Sequence, residues 1–350
     1  MDRIIVPTGY MGSGSSAITD LISEFRDCQN EFKDFEYIFL HCPNGLFDLE
    51  DKLLKGNNAI RSDEAIRSFE MQMNKLFNKK FWWVGNYQKV IGPEFKNLTD
   101  KFINEIQEFN FEGFWYTHEE VNNRMFFRLL FQKPFKIISR GKIKFKRVLK
   151  YDDGMRISFI KDKDFYKYAH DYIYDIVSII GKDKKNVILD QFLLPFNLYR
   201  VDNYFSDELR AIAVSRDPRD VYILNKYIWP SKNLVVPMPK EVNEFCNFYK
   251  KMRESEIIVD SKKVLRIRFE DLIYNYDIEL KKIMNFLDFK EQDHINKKKR
   301  FDPAISIKNT QLFRKEEYQE EIKIIEKELK DYLYDFKQKM DNDVKNTVEF

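Results

Sequence analysis

The sequence predicts an α/β protein in which helices flank a parallel β-sheet. Short apolar runs, typical of buried strands, alternate with longer segments whose apolar residues recur at helical spacing. In addition, a glycine-rich segment joins the first of these runs to the first helical segment. Strands that alternate with helices along a chain usually form a parallel sheet, because each helix carries the chain back to the end where the next strand begins.

The composition allows a sizeable core and excludes several classes of protein. The chain has 350 residues, of which 43% are hydrophobic, and its net charge of +3 does not indicate a nucleic-acid partner. Three widely spaced cysteines form neither a disulfide framework nor a zinc pattern, which favours a reducing compartment. Because we find neither a secretory signal nor the ~18-residue apolar run of a membrane span, we expect a cytoplasmic protein.

The first elements follow from local patterns. Residues 3–8 are apolar and β-branched and are bounded by Gly9, which predicts a buried strand. Residues 15–26 carry apolar side chains at helical spacing and predict a helix. A second strand is predicted at 35–41, where the turn residues 43–45 end it.

The middle of the chain predicts an insertion between strands. Residues 62–132 are mostly helical in pattern, with breaks near Gly92-Pro93 and Gly113. Lysine alternates with Ile or Phe over 142–146, which predicts a strand with one basic face, and residues 163–180 predict a helix. Insertions of this kind often carry substrate specificity.

Three further strand–helix units follow. Strands are predicted at 186–191, at 209–215 and from 264, the last leading into a helix at 276–287, and a charged helix is predicted at 315–339. The expected organisation is a core of residues 1–50 and 181–315, an insertion of residues 51–180 on the acceptor side, and a C-terminal helix and tail of residues 316–350.

The segment Gly9–Ser16 has the spacing G-x-x-x-x-G-x-S between a strand and a helix. Glycines permit the positive φ angles of a loop whose N–H groups converge on a phosphate, and the helix N-terminus adds positive partial charge. Ser15 stands where an ATPase has its lysine, so we do not expect ATP hydrolysis. The interpretation is a P-loop-type fold; the alternative is a turn that merely joins strand and helix. The predicted phosphate-binding residues are Gly12, Ser13, Gly14, Ser15 and Ser16.

A second motif lies where the strand 209–215 ends. Arg216 is the first residue beyond the strand, and Asp217 and Pro218 suit the start of the next helix. Ligands of open α/β sheets bind at this carboxyl edge, where a guanidinium could grip a phosphate. The alternative is that Arg216 pairs with a neighbouring carboxylate.

Taken together, three segments resemble the motifs of the PAPS-dependent sulfotransferases, especially the bacterial type: residues 13–16 (SGSS), 216–220 (RDPRD) and 268–272 (RFEDL). PAPS is 3′-phosphoadenosine 5′-phosphosulfate. The resemblance covers roughly residues 3–50 and 185–315. It implies a loop for the 5′-phosphosulfate, a contact of Arg216 with the 3′-phosphate, and a nucleotide contact for Lys308 in a basic C-terminal loop.

Two cations of that family are absent here. Gly12 stands where the family usually has Lys or Arg, and residues 189–192 (LDQF) lack the lysine that bacterial members often have. Leu224 stands where the family often has a serine for the 3′-phosphate, and Asn225 beside it is the expected substitute.

Sulfuryl transfer to a hydroxyl needs a base, and no metal is expected. The candidates are His41, the pair Asp48 and Glu50, and Asp190, of which Asp190 closes an apolar strand at the ligand edge. The structural alternative for His41 is a histidine that simply ends a strand. For Asp48 it is a carboxylate that simply begins a helix. The cluster His118-Glu119-Glu120 is interpreted as a solvated helix face.

We therefore expect a sulfotransferase acting on a hydroxyl of a carbohydrate or surface glycan. The alternatives are a nucleotide-dependent phosphotransferase using the same loop and a non-catalytic nucleotide-binding relative. The aromatic segments 81–83 and 114–116 could stack on sugar rings or belong to the core. The basic run 133–150 could hold an anionic polysaccharide, contact an anionic membrane surface, or form a solvated hairpin face.

Overall fold

The computed structural model describes residues 2–29, 35–79, 84–113, 115, 123–140, 142, 153–182, 184–232, 234 and 237–336. The chain divides into two compact units. The first comprises Met1–Cys42, Leu76–Phe95 and Ile173–Phe350, and the second comprises Pro43–Lys75 and Lys96–Tyr172. Compared with the predicted insertion of residues 51–180, the second unit begins earlier and leaves the segment Leu76–Phe95 to the first unit.

The strands of the described residues are β1 (Arg3–Gly9), β2 (Cys28–Gln29), β3 (Phe109–Gly113), β4 (Asp153–Ile157), β5 (Asn186–Ile188), β6 (Leu209–Ser215) and β7 (Val264–Arg268). The helices are α1 (Ser15–Ile22), α2 (Leu46–Leu54), α3 (Ala59–Asn78), α4 (Tyr87–Val90), α5 (Glu94–Ile106), α6 (Asn123–Ile138), α7 (Asp162–Gly181), α8 (Val201–Tyr204), α9 (Pro218–Ile223), α10 (Trp229–Ser231), α11 (Val242–Glu254), α12 (Phe269–Tyr274), α13 (Tyr276–Leu287), α14 (Pro303–Ser306) and α15 (Gln319–Glu328). A π-helical segment, Leu224–Ile228, joins α9 to α10.

The first unit contains a five-stranded parallel sheet in the order β2-β5-β1-β6-β7. The central strand β1 pairs with β5 on one side, where Ile4 lies opposite Val187, and with β6 on the other, where Ile4 lies opposite Leu209. The chain therefore runs from β1 to one half of the sheet and later to the other half. A crevice opens at the carboxyl end of a strand where the connections diverge in this way, and ligands bind there.

Helices cover the sheet through an apolar cluster. Residues of β1, β5, β6 and β7 pack there against α1, α12 and α13; the fully buried members include Ile5, Ile18, Ile212, Leu272 and Ile283. A second cluster joins α9, α11 and α15. The prediction of an α/β protein with helices around a parallel sheet is confirmed.

Most predicted strands and helices are confirmed, but the strand at 35–41 is wrong. Residues 35–38 have no regular structure and 39–41 form a turn. Tyr37 and Phe39 are buried against the ring of Tyr87, and the N–H of Ile38 donates to the Tyr87 hydroxyl at 2.9 Å. Aromatic packing buries this apolar run, and a tyrosine hydroxyl rather than a neighbouring strand accepts the hydrogen bond from the N–H of Ile38. The strand beyond β5 is instead the two-residue β2.

Further differences lie at element boundaries. The predicted strand 186–191 forms only as β5, and the predicted helix 315–339 forms as α15 between two 3-10 turns, Glu316–Tyr318 and Lys330–Tyr332. Helix α6 continues through Pro134 to Ile138, beyond the region 62–132 that was predicted to be mostly helical. The predicted basic strand over 142–146 lies outside the described residues except for Lys142.

The second unit contains α2, β3, α6 and β4 together with parts of α3, α5 and α7. Its core stacks Phe102 on Tyr172, with centroids 4.9 Å apart, and adds Phe69 and Phe165. The antiparallel pair β3–β4 brings Phe109 opposite Ile157, so that α6 lies in the chain between two paired strands. Within the described part of the chain, no helix combines the length and the apolar character needed to cross a bilayer.

Candidate functional site

The loop after β1 is wound by two glycines in the left-handed region. Gly12 has φ +85° and Gly14 has φ +94°, and α1 begins directly afterwards at Ser15. A Cβ on Gly14 would lie 2.6 Å from the ring of Phe269, and one on Gly12 would lie 3.3 Å from Trp229. Both positions therefore favour glycine for backbone conformation, and Gly14 favours it for space as well.

The loop leaves backbone donors free. Among the described residues, the N–H groups of Gly14, Ser15 and Ser16 have no hydrogen-bond acceptor, and no side chain caps α1. The first N–H groups of a helix point out of its N-terminal end and favour an anion there. The free donors thus form the start of an anion-binding site.

These donors line a cavity of about 870 Å³ within the first unit. Such a volume suits a nucleotide-sized ligand. The described part of its wall carries three cationic and two acidic side chains, namely Arg216, Lys232, Arg300, Asp20 and Glu36. Its apolar part includes Tyr10, Leu194, Phe196, Trp229, Met238, Phe248, Met252, Phe269 and Phe301.

Arg216 lies against the loop. Its side chain is 5% exposed; Nη1 donates to the carbonyl of Gly12 at 3.0 Å and Nη2 donates to the carbonyl of Asn309. The guanidinium also stacks over Phe269 at 4.8 Å, while Nε has no partner among the described residues. Burial lowers the pKa of Arg216, and nearby carboxylates counteract this. The alternative, a simple ion pair, does not describe these contacts.

The rest of the 216–220 segment is structural. Asp217 caps α9 by accepting from the N–H of Arg219 at 2.9 Å, and its other oxygen lies 2.7 Å from Nη2 of Arg219. The carboxylate of Asp220 accepts from the N–H groups of Gln311 and Leu312 at 2.8 and 2.7 Å. These bonds fasten the C-terminal segment beside β6, which brings the Asn309 carbonyl to Arg216.

Two buried carboxyl groups near this arginine hold protons more tightly than usual. Burial raises the pKa of Asp220 to about 6, although the charge of Arg216 counteracts it. Burial also raises the pKa of Glu270 to about 7, although the N–H of Asp217 donates to its carboxylate at 2.7 Å. Glu270 is therefore only partly ionised near pH 7, which makes the surroundings of Arg216 less negative than the sequence suggests.

The predicted serines have different environments. Ser15 and Ser16 line the cavity, and the Ser15 hydroxyl accepts from the side-chain amide of Gln191 at 2.9 Å. Ser13 is 2% exposed, and its hydroxyl lies under the loop, where a Cβ on Gly9 would touch it. Ser13 is buried within the loop and is not among the described residues that line the cavity.

His41 lies behind the loop. Its Nε2 donates to the carbonyl of Gln191 at 3.0 Å, and Gln191 in turn bonds Ser15 and Thr8. Burial lowers the pKa of His41 to about 4, so the ring is neutral at pH 7. This geometry makes His41 a support for Gln191 rather than a residue of the cavity wall.

Asp190 also lies behind the loop. Burial raises its pKa to about 7, Glu36 raises it further, and the Ser15 and Thr19 hydroxyls counteract this. One of its oxygens, Oδ1, has no partner among the described residues. Asp190 is close to the loop but is not among the described residues that line the cavity; Asp20 and Glu36 are.

Of the remaining candidates, Asp48, Glu50 and Asn225 have structural contacts, whereas Lys308 is exposed. The carboxylate of Glu50 accepts from the hydroxyl of Tyr166 at 2.7 Å. Asp48 belongs to the second unit and lies in the first turn of α2, where it accepts from the N–H of Asn44 at 2.7 Å. This is the helix N-terminal role that was the structural alternative to catalysis. Asn225 is buried, donates to the carbonyl of Val221 at 2.8 Å and lies next to Gly12. Lys308 is exposed and is not among the described residues that line the cavity, whereas its neighbour Asn309 is.

Sequence reasoning missed two cations of the cavity, Lys232 and Arg300. Arg300 ends the run KKKR just before Phe301, which was the available signal. The fully buried Glu24 holds this segment, because its carboxylate accepts from the N–H of Arg300 at 2.7 Å and of Phe301 at 3.0 Å, and from Nε2 of His294 at 2.7 Å.

Several predicted features fall outside the described residues: His118-Glu119-Glu120, the segment 81–83, Phe114 and Tyr116. Within the described ranges, no group of three or more His, Cys, Asp or Glu side chains could hold a metal ion. The three cysteines are free and buried.

A scan of the chain against protein-family models found no matching family, and a search of curated protein sequences found no matching relative.

Proposed function

We propose that the chain is a P-loop-type sulfotransferase that uses PAPS and transfers its sulfuryl group to a hydroxyl of a carbohydrate. One observation carries the proposal: the buried Arg216 and the free N–H groups at the start of α1 face the same cavity at the carboxyl end of β1. The motif resemblance supplies the donor and the acceptor class.

The cavity offers a place for each part of the donor. The N–H groups of residues 14–16 would hold the 5′-phosphosulfate, and the guanidinium of Arg216, which lines the same cavity, would contribute positive charge for the 3′-phosphate. Lys232 and Arg300 would provide the positive charge that Gly12 and Gln191 do not. Aromatic side chains such as Trp229 and Phe248 would stack on the adenine.

The transfer itself needs alignment and charge stabilisation. The acceptor oxygen attacks sulfur, the bond between sulfur and the phosphate oxygen breaks, and 3′-phosphoadenosine 5′-phosphate (PAP) leaves with the electron pair. The loop N–H groups stabilise the negative charge that develops on the leaving phosphate. The hydroxyl proton passes to a carboxylate of the cavity wall, Asp20 or Glu36, while Asp190 and His41 support the loop from behind.

The proposal is tested by ligand-induced thermal stabilisation with PAP, ATP–Mg²⁺ and UDP-sugars. PAP at ~100 times its dissociation constant stabilises the fold by about 2.7 kcal/mol. We expect this shift in the native chain and in Arg210→Ala, a control at the opposite end of β6, but not in Arg216→Ala.

The other outcomes separate the alternatives. A shift with ATP–Mg²⁺ alone would indicate a phosphotransferase. Stabilisation by PAP without transfer of ³⁵S from PAPS to any glycan would indicate a non-catalytic relative. If PAP does not stabilise the native chain, the proposal is wrong.

A further inference from the structure

Helix α6 exposes an unusually large apolar surface. Seven large apolar side chains are between 52% and 77% exposed, namely Phe126, Phe127, Leu130, Phe131, Phe135, Ile137 and Ile138. At about 100° per residue, they occupy roughly one half of the helix circumference. Exposed apolar groups of this size mark a surface that binds something.

The charged side chains of the helix are all basic. The exposed Lys136 lies nearly opposite the centre of the apolar half, and the exposed Lys133 lies at its border. The surrounding sequence continues this charge, because residues 121–151 contain ten Lys or Arg and no Asp or Glu. The helix therefore combines an apolar half with flanking lysines inside a segment without negative charge.

We propose that α6 binds the surface of an anionic lipid bilayer, with its apolar half among the acyl chains and its lysines at the headgroups. This arrangement is that of an interfacial amphipathic helix. Its sixteen residues span about 24 Å, shorter than the ~30 Å hydrocarbon core, and include lysines, so the helix lies along the interface.

Other occupants explain less of the surface. An anionic polysaccharide would satisfy the lysines but leave the phenylalanine side chains in water. A second copy of the chain would cover the apolar half but would bring two cationic segments together. Of these three occupants, an anionic bilayer is the one that satisfies both the apolar half and the lysines of α6.

The test is flotation of the full chain with vesicles of phosphatidylcholine, with and without phosphatidylglycerol. We expect binding to the anionic vesicles, weakened by high salt. The apolar pair Phe127→Glu with Phe131→Glu and the charge pair Lys133→Glu with Lys136→Glu should each lower binding by about tenfold or more. The matched control, Ile258→Glu with Ile278→Glu, changes equally exposed side chains elsewhere (67% and 68%) and should bind as the native chain does.

Unchanged thermal unfolding midpoints show that the variants fold. The proposal is overturned if the native chain does not bind anionic vesicles, or if either variant pair binds as strongly as the native chain. Retained vesicle binding by the apolar pair, with dextran sulfate binding lost only in the charge pair, would instead indicate a polyanion site. None of these outcomes depends on PAP binding, so they test α6 separately from the proposed enzyme.

Discussion

At the scale of single residues, the candidate site has a cation on one side of the loop and a titratable carboxyl group on the other. Arg216 contacts the loop carbonyl of Gly12, whereas Asp190 lies behind Ser15 with a pKa raised to about 7. A carboxyl group held neutral there does not repel a bound anion. The loop therefore carries its greatest positive potential at and below neutral pH.

Asp190 should make the protein less stable as pH rises. Its pKa is raised in the folded protein, so between about pH 4 and pH 7 the folded state binds more protons than the unfolded state, and the free energy of unfolding falls with pH. The variant Asp190→Asn has no ionisable carboxyl group at this position, so its free energy of unfolding does not fall with pH for this reason. Urea unfolding should show the variant gaining about 2 kcal/mol over the native chain between pH 5 and pH 8. An equal difference between the two proteins at both pH values would contradict the assignment.

At the scale of elements, the candidate site is built on β1, the loop that follows it, and α1. Its conformation depends on two left-handed glycines, and Gly14 also borders the ring of Phe269, over which Arg216 stacks. A change at Gly14 thus acts on the loop backbone and on the arginine together.

Gly14→Ala should cost more stability than Gly92→Ala. Both glycines have positive φ, so both variants pay roughly 1 kcal/mol of backbone strain. A Cβ at Gly92 meets no atom within 4 Å, whereas one at Gly14 lies 2.6 Å from Phe269. Chemical unfolding should show an extra loss of about 1–3 kcal/mol for Gly14→Ala, and PAP should no longer stabilise that variant. Equal losses of stability in the two variants would show that the loop accommodates the added Cβ beside Phe269 at no extra cost in free energy.

At the scale of the whole molecule, the C-terminal segment completes the first unit. Phe313, Tyr318, Ile322, Ile325 and Leu329 are buried against residues of α9 and α11. Asp220 and Arg219 hold the same segment, through the N–H groups of Gln311 and Leu312 and the carboxylate of Glu326. Of the predicted C-terminal helix and tail, the described residues 316–336 are thus packed into the first unit.

Ile325→Ala should therefore destabilise the fold by about 2–5 kcal/mol, because it leaves a cavity in a fully buried position. Lys323→Ala, an exposed position of the same helix, is the control and should change stability by less than about 0.5 kcal/mol. Circular dichroism during urea unfolding measures both. Similar small effects would mean that α15 is not a part of the folding unit.

The sequence by itself determined the features that depend on neighbours a few residues apart. Strand and helix periods, the glycine turn, the cap at Asp217 and the start of α13 at Tyr276 all follow from local patterns, and the structure contains them. Such features are local because hydrogen bonds within a turn or helix, and side chains on one face, join residues that are close in the chain.

Only the tertiary structure decided which distant residues meet. It buried residues 35–41 against Tyr87 without a strand, and it selected Arg300 for the cavity wall rather than Lys308. Arg300 is held there by Glu24, which is 276 positions away in the chain. Local periodicity cannot encode such a partner, because the contact forms only when packing brings the two segments together and a buried carboxylate must satisfy its hydrogen bonds.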